Sequence, residues 1–538
     1  MTAYLNDLNK SINNHISNID FYKTLGKIAK THGFKIYIIG GFVRDLIIYN
    51  IYGIHNKPKD KSLDIDICVE GDATIFAETL KNELHKYNKA DVHINNIKIH
   101  KQFKTAGIFF TIKENNNKDI VNNIENIEKT INTKISIDFA SAREESYFKS
   151  GALPSVKFSD LKHDVIRRDF SINTLALDLN PDNFFEIIDY CNGVKDILNK
   201  KIRVLHNLSF IDDPTRIFRA VRFEKRLNFK IEKITKNLLL NALSKGVMNN
   251  ISGNRISNEL SLVFKENSPE IYFERLEKLG ILKSINEDLK FTSKNKKVYK
   301  NIHNFYKLNK GKINNIKIKN GVKIKINFEL FYIIELIIEL EEKKIISILK
   351  RFNYGENIKK IILLVKQETE SIKNGAIFDK LNLNTKKNNI IENNIKNNNN
   401  IKEYNHIIKD DILSDDMSNK KLQRSEIYLI LKSLNLYSVI FFIVRYNDNK
   451  YIKENQDIRN NNYKNIIKSL NTYLFDIINI NLNISGDELQ RMGIKEGSEL
   501  GEILNKLKLL KIDDIIKNKE EEMEYVKNNY FINNANIQ

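Results

Sequence analysis

Ile36-Tyr37-Ile38-Ile39-Gly40-Gly41-Phe42-Val43-Arg44-Asp45 runs from an apolar stretch into a glycine pair, and Asp64-Ile65-Asp66 follows. A glycine pair after a strand-like run lets backbone N–H groups approach something bulky and anionic. In a strand, residues i and i+2 share a face. Asp64 and Asp66 would then repel each other unless a cation sits between them, and hard Mg²⁺ takes such oxygen ligands. A phosphate cradle beside a dicarboxylate clamp points to nucleotidyl transfer from a nucleoside triphosphate. Each half also has a plain reading, the glycines as a tight turn and the acids as a solvated strand edge.

The chain has 538 residues, 41% of them hydrophobic, enough for three or four domains with real cores. The formal net charge is +19, which favours a polyanionic partner through phosphate contacts and counterion release. Codon bias toward Lys, Asn and Ile accounts for part of that excess. Two cysteines, Cys68 and Cys191, form no metal-ligand spacing and no disulfide framework, which fits a reducing compartment; Cys68 reads as packing. No signal pattern opens the chain, and apolar runs such as Phe331 to Ile338 are interrupted by Glu, so a cytoplasmic protein with no membrane partner is expected.

Residues 1–30 read as a helical lead-in. Short β-type runs at 35–39, 63–69, 106–112 and 135–139, with a helical stretch at 72–87, make an α+β module with a small mixed sheet. Asn115 to Lys134 reads as a polar loop, and Lys386 to Ile401 as a low-complexity insertion. From about residue 195 the pattern is helical, and all five prolines lie at or before Pro269. The expected segments are a head at 1–180, a helical neck at 181–270, a helical body at 271–470 with its Asn-rich insertion near 386–402, and a helical tail at 471–538.

A second cluster lies downstream: Arg167-Arg168-Asp169-Phe170-Ser171-Ile172-Asn173 and Asp212-Asp213-Pro214-Thr215-Arg216-Ile217-Phe218-Arg219-Ala220-Val221-Arg222-Phe223. Asp212 is placed to cap a helix with Pro214 in its first turn. Asp213, Arg216 and Arg219 then step round about a third of that helix. An acceptor and planar multi-donor groups on one face could hydrogen-bond a base edge; an intrahelical ion-pair ladder is the plain alternative.

Together these segments resemble the class II tRNA nucleotidyltransferase and bacterial poly(A) polymerase family. GGFVRD resembles GGxVRD, Asp64 and Asp66 match the DxD, RRDFSIN matches RRDFTIN, and Asp212-Asp213-Pro214-Thr215-Arg216 is similar to EDPxR with Asp for the first Glu. Ile137-Asp138-Phe139-Ala140-Ser141-Ala142-Arg143 resembles the strand closing the catalytic sheet. The resemblance implies that Asp64 and Asp66 hold catalytic Mg²⁺, with Asp138 as a third carboxylate or, equally, a strand-edge acid paired with Arg143. It implies that Gly40, Gly41 and Arg44 meet the triphosphate or nucleotide, and that Arg167 and Arg168 bind phosphate or place the nucleotide. Asp213 and Arg216 would template the base, selecting CTP and ATP, with Arg219 and Arg222 in support.

The expected activity is template-independent addition of C and/or A to the 3′ acceptor end of tRNA. Poly(A) polymerase and a catalytically inactive RNA-binding protein are the alternatives. His100-Lys101-Gln102-Phe103-Lys104-Thr105-Ala106, the loop-like Ser146 to Lys162 and the Ile484-Ser485-Gly486-Asp487-Glu488-Leu489 tail resemble the tRNA branch. Full CCA addition and A addition both stay open. His163-Asp164 reads as loop and supplies no phosphohydrolase centre. Arg255 and Glu259, at i and i+4, read as a structural pair within one helix.

Overall fold

The run Lys35–Ile39 forms β1 and is buried continuously from Ile36 onward, the pattern of a strand enclosed on both faces. A computed structural model describes residues 18–53, 64–87, 92–114, 131–146, 148, 150–151, 154–316, 325–374, 422–446 and 460–531. The Asn-rich insertion and most of the helical lead-in fall outside these. Helix α1 (Ile19–Thr31) precedes β1. It is followed by α2 (Gly41–Tyr52), β2 (Asp64–Glu70), α3 (Ala73–Tyr87), β3 (Val92–His100), β4 (Thr105–Glu114) and β5 (Ile131–Ser141). Next come β6 (Arg143–Ser146), β7 (Ser155–Phe158), α4 (Leu161–Ile166), β8 (Ala176–Asp178) and β9 (Ile187–Ile188).

Seven strands make one mixed sheet in the order β3-β4-β5-β2-β1-β8-β9. Only β2 and β5 run parallel; every other pair in this sheet is antiparallel. The α+β reading holds, and the four expected β-type runs are β1, β2, β4 and β5, while β3 and β6 to β9 are additions of the structure. β5 begins at Ile131, because the ladder with β4 continues through Thr111↔Lys134 and Glu114↔Ile131, so the end of the expected loop is strand. β9 carries the sheet past residue 180. The loop-like stretch after Ser146 returns as β7, antiparallel to β6, and His163-Asp164 lies within α4 rather than in a loop, capped by Asp160.

A helical run follows: α5 (Gly193–Leu198), α6 (Ser209–Asp212), α7 (Arg216–Arg226), α8 (Lys233–Ser244), α9 (Gly253–Phe264), α10 (Pro269–Lys278) and α11 (Ile281–Ile285). The two-residue strands β10 (Lys201–Ile202) and β11 (Lys230–Ile231) pair in parallel among them. The chain divides into two compact units, Met1–Val263 with Arg275–Ile285, and Phe264–Glu274 with Asn286–Gln538.

The second unit is helical, as the periodicity implies. It contains α12 (Ser293–Ile313), α13 (Glu329–Ile337), α14 (Glu342–Arg351), α15 (Glu356–Lys373), α16 (Arg424–Leu431), α17 (Leu436–Tyr446) and α18 (Asn460–Thr472). A π turn at Tyr473–Ile477 leads on to α19 (Gly486–Arg491), α20 (Ser498–Ile512) and α21 (Lys519–Val526). Its core holds Phe273, Phe291, Tyr299 and Tyr332 in edge and tilted contacts. The Ser485 hydroxyl and the Glu488 carboxylate form a capping box on α19, and Glu522, fully buried, accepts from Asn483 N, Ile484 N and Lys511 Nζ. Among the described residues no single helix is long and apolar enough to cross a membrane.

Helix α1 packs so closely on the segment after β8 that only glycine fits at Gly26, where a Cβ would lie 1.9 Å from the Leu179 carbonyl oxygen. The obstacle is backbone and cannot rotate away. Gly26→Ala is expected to destabilise the first unit by about 2 kcal/mol or more, seen as a lower midpoint in urea unfolding.

Candidate active site

Gly40 turns the chain from β1 into α2 at φ +80°, where a side chain would be strained. Its N–H donates to the Leu175 carbonyl at 3.1 Å. A Cβ here would stand 3.4 Å from Arg168 Nη1 and 3.9 Å from Asp66 Oδ2, so the glycine leaves the turn open to a cation and a carboxylate. Helix α2 starts at Gly41 and its first described intrahelical bond is Arg44 N to Gly40 O, which aims the first-turn N–H groups and the positive helix end at this corner.

Asp66 lies opposite Ile39 on β1 and opposite Asp138 on β5. Parallel pairing puts the two acids side by side on one face, and both are exposed. Asp64 opens β2 in register with Ser136. Gly107 of β4 faces Asp138, and a Cβ there would come within 2.9 Å of Asp138 Oδ1. Asp138 sits on an interior strand, and the Arg143 guanidinium pairs with Glu145 at 3.0 Å, so the strand-edge pairing with Arg143 does not occur.

The two neighbouring arginines diverge. Arg167 is consumed by the first unit: Nη2 donates to Asp164 at 2.6 Å, Nη1 to Glu145 at 2.7 Å and Nε to the Arg143 carbonyl at 3.1 Å. Arg168 bonds the other Asp164 oxygen at 3.0 Å and reaches the Gly40 turn. Asp164 is 1% exposed. Burial pushes its carboxyl up, but the Arg168 and Arg167 charges outweigh that and hold it below the ordinary carboxylate range.

Arg44 is likewise buried. Nε donates to Asp45 and Nη1 to Asn173 Oδ1, each at 2.7 Å. Asn173 in turn donates to Asp169 Oδ1 at 2.9 Å, and Arg219 Nε donates to Asp169 Oδ2 at 2.6 Å. Burial raises the Asp169 carboxyl and the Arg219 charge overrides it, so Asp169 stays ionised. Three guanidiniums, from Arg44, Arg219 and Arg222, lie 5.1, 5.5 and 5.9 Å from the Phe223 ring centre. Phe170 meets that ring edge-on at 5.8 Å.

The neck departs from the expected cap. Asp212 ends α6 and does not cap the next helix. Thr215 stands at the N-cap of α7 without a side-chain cap bond, and Asp213 Oδ1 accepts from Thr215 N at 3.0 Å and Thr215 Oγ1 at 2.6 Å just ahead of the first helical residue, Arg216. Arg216 is buried and donates to Ser209 Oγ and to the Arg167 carbonyl, both at 2.7 Å.

Arg255 and Glu259 do not steady α9 as an internal pair. Arg255 donates to Asp213 Oδ1 at 2.7 Å and to the Gly151 carbonyl at 3.1 Å, while Glu259 accepts from Arg222 at 3.1 Å. Burial pushes the Glu259 carboxyl up against the pull of Arg222 and Arg219. The bend after β6 also reaches this corner, through Ser150 Oγ to Ile211 O at 2.6 Å and Gly151 N to Asp212 O at 3.2 Å.

Residues 36–203 match the profile of the poly A polymerase head domain, and residues 228–292 that described as the probable RNA and SrmB-binding site of polymerase A. Within residues 36–203 the chain is therefore similar to the poly A polymerase head domain. An A-adding tRNA nucleotidyltransferase of Geobacter sulfurreducens is 40% identical over 267 residues, which is 50% of this chain and 26% of that protein. One from Halalkalibacterium halodurans is 34% identical over 274 residues, 50% of this chain and 54% of its own length. The chain thus spans between about a quarter and about half of these curated relatives. A solved CCA-adding enzyme in an apo form has a TM-score of 0.63 at 24% identity, covering 96% of this chain and 97% of that one. The Thermotoga maritima CCA-adding enzyme complexed with tRNA gives 0.57 at 24%, with the same coverage. At that identity the likeness is one of fold.

For the divalent metal that the likeness to a poly A polymerase head domain implies, the donor chemistry fits. Asp66 and Asp138 are adjacent exposed carboxylates, and Gly107 keeps the space over Asp138 clear. Among the described residues no group of three acidic, His or Cys side chains forms a closed metal cage. Sequence reasoning passed over Asp164, Asp169, Asn173, Phe223 and Gly107. Asp169 and Asn173 stand inside RRDFSIN, and their i, i+4 spacing beside the two arginines was the available signal.

Asp164 also sets an acid limit. Its native pKa lies below the ordinary 3.8, so its contribution is complete above that pH and is lost as pH falls through the native value. Unfolding midpoints of the wild type are expected to hold from neutral pH to about 4 and drop below it. Asp164→Asn, which leaves two arginines short of a counter-charge, is expected to cost about 3–5 kcal/mol at pH 7 and to flatten that acid drop.

Proposed function

We propose that this chain adds C, A or both from CTP and ATP to the 3′ end of tRNA, acting in the cytoplasm. The observation that carries the reading is the pairing of Asp66 with Asp138 beside the Gly40 turn, the α2 N-terminus and Arg168. The A-adding relatives, similar over half the chain, support the substrate. A head at 1–180, a neck at 181–270, a body at 271–470 and a tail at 471–538 remain the proposed functional parts.

Asp66 and Asp138, with Asp64, would hold Mg²⁺, which when bound supplies charge neutralisation at the triphosphate and favours ionisation of the attacking 3′-hydroxyl. Arg168 and the first-turn N–H groups of α2, from Gly41 onward, bind the triphosphate, and Gly40 lets it approach. Arg44 and Arg167, engaged by protein partners, position this surface rather than touch phosphate. Arg219 and Arg222 act through Asp169, Glu259 and the Phe223 stack.

Base choice falls to Asp213, while Arg216, whose Nη1 and Nη2 donate to Ser209 Oγ and the Arg167 carbonyl, positions α7 rather than touching the base. Asp213 Oδ1 is engaged by Thr215 and Arg255, which leaves Oδ2 to accept a hydrogen bond. Adenine and cytosine both offer an exocyclic amine at the Watson–Crick edge, whereas uracil presents a carbonyl there. Positioning and electrostatic complementarity then carry the rate.

The test supplies tRNA ending before C74, after C75 or complete, with labelled CTP or ATP. Use of CTP on the first substrate means CC or CCA addition, and ATP use confined to the second means A addition. Long tails on unrelated RNA would instead indicate poly(A) synthesis, and no incorporation on any RNA refutes the reading. Asp66→Asn is expected to lower incorporation at least about 100-fold without loss of fold, checked by the melting curve.

Gly107→Ala is expected to displace the Asp138 carboxylate. A loss of about 100-fold in kcat with the KM for ATP nearly unchanged, measured by single-nucleotide extension, is the predicted outcome.

A further inference from the structure

Within the second unit, α12, α17, α18 and the π turn line a half-open cavity of about 310 Å³ that the head chemistry leaves unused. Its polar lining is made of four asparagines, Asn301, Asn304, Asn309 and Asn471. Three of them have their amide nitrogens tied to backbone carbonyls: Asn301 to Val444 O at 3.1 Å, Asn309 to Phe305 O at 3.0 Å, and Asn471 to Ile467 O at 2.8 Å. Each amide is thereby oriented, and each keeps an Oδ1 acceptor to which no described residue donates. The apolar lining includes Phe305 and Phe475, with ring centres 6.2 Å apart and planes at 41°. Lys312 stands over the Phe475 ring at 5.4 Å.

Fixed acceptors beside tilted aromatic rings suit a flat solute with N–H donors on its edge and a π face. The volume is at the small end for a ligand pocket, the size of one base or nucleoside rather than a peptide. The surroundings are cationic: α12 alone carries seven lysines, of which Lys300, Lys307, Lys310 and Lys312 are exposed. A polyanion would be held at that rim by its phosphates while one base left the stack.

We propose that this cavity is a binding site for a single unstacked nucleobase of RNA held on the second unit. The base lies against Phe305 and Phe475, and its exocyclic or ring N–H groups donate to the oriented asparagine oxygens. Lys312 and the exposed lysines of α12 hold the flanking phosphates. The site goes beyond nucleotide addition at the head and does not depend on which nucleotide is added.

The test is ultraviolet cross-linking of the full chain to a tRNA transcript lacking its 3′ CCA, followed by peptide mass spectrometry. Nucleotide adducts on Phe305 or Phe475 are expected, reduced more than tenfold in Asn309→Leu/Asn471→Leu, which loses two of the oriented acceptors but only bonds within single helices, and whose melting curve matches wild type. Adducts confined to residues 18–285, or undiminished in the double variant, overturn the proposal. Nucleotide incorporation is measured in parallel on the same proteins. Loss of incorporation with α12 adducts retained would refute the catalytic reading alone, and incorporation without those adducts would refute this one alone.

Discussion

Asp169 is the charge on which the first unit turns. One of its oxygens accepts from Asn173, which holds Arg44 of the glycine turn, and the other accepts from Arg219 of the neck helix. Three guanidiniums gathered round one phenyl ring would repel one another in a low-dielectric setting. Asp169, Asp45 and Glu259 supply the compensating charge, each to a different arginine. The consequence is mechanical. The β1–α2 turn, the RRDF segment and α7 cannot move independently without leaving an ion unpaired, which costs far more than a surface ion pair yields.

Asp164 repeats the arrangement on the other flank. It divides its two oxygens between Arg167 and Arg168, and so decides that one arginine is structural and the other faces Asp66 and Gly40. Adjacent residues of one type thereby acquire different work through their partners alone. Arg255 shows the same logic in the neck, where it fixes one oxygen of Asp213 and leaves the other available. Among the described residues of the second unit Arg445 is the buried arginine, and much of the positive charge lies in exposed lysines.

Much of the head was legible in the sequence because strands and short turns are written locally. The continuous burial of Ile36 to Ile39 and the paired apolar residues around Asp66 are period signals that need no partner to be seen. Asp64 and Asp66 share a strand by spacing alone. Asp138 was not separable from a strand-edge acid, since its neighbour depends on which strands pair and in what direction. The misreadings share that cause. Asp212 looked like a helix cap because helix starts are judged from composition, but it lies inside α6, and α7 begins at Arg216 with Thr215 at its N-cap. Arg255 and Glu259 have ideal helical spacing for each other, and tertiary partners offered each a better-placed charge.

The sequence by itself determined β1, β2, β4 and β5, the helical character beyond about residue 195, the dicarboxylate on β2, the glycine turn and the supply of arginines, since backbone sterics and side-chain periodicity act over a few residues. Only the tertiary structure decided that Asp66 stands next to Asp138, that Gly107 leaves room for it and that Arg168 rather than Arg167 faces the site. Those outcomes rest on strand order and on competition among buried ions for counter-charges far apart in the chain. Such competition is resolved by distance and desolvation in three dimensions, which linear spacing does not encode.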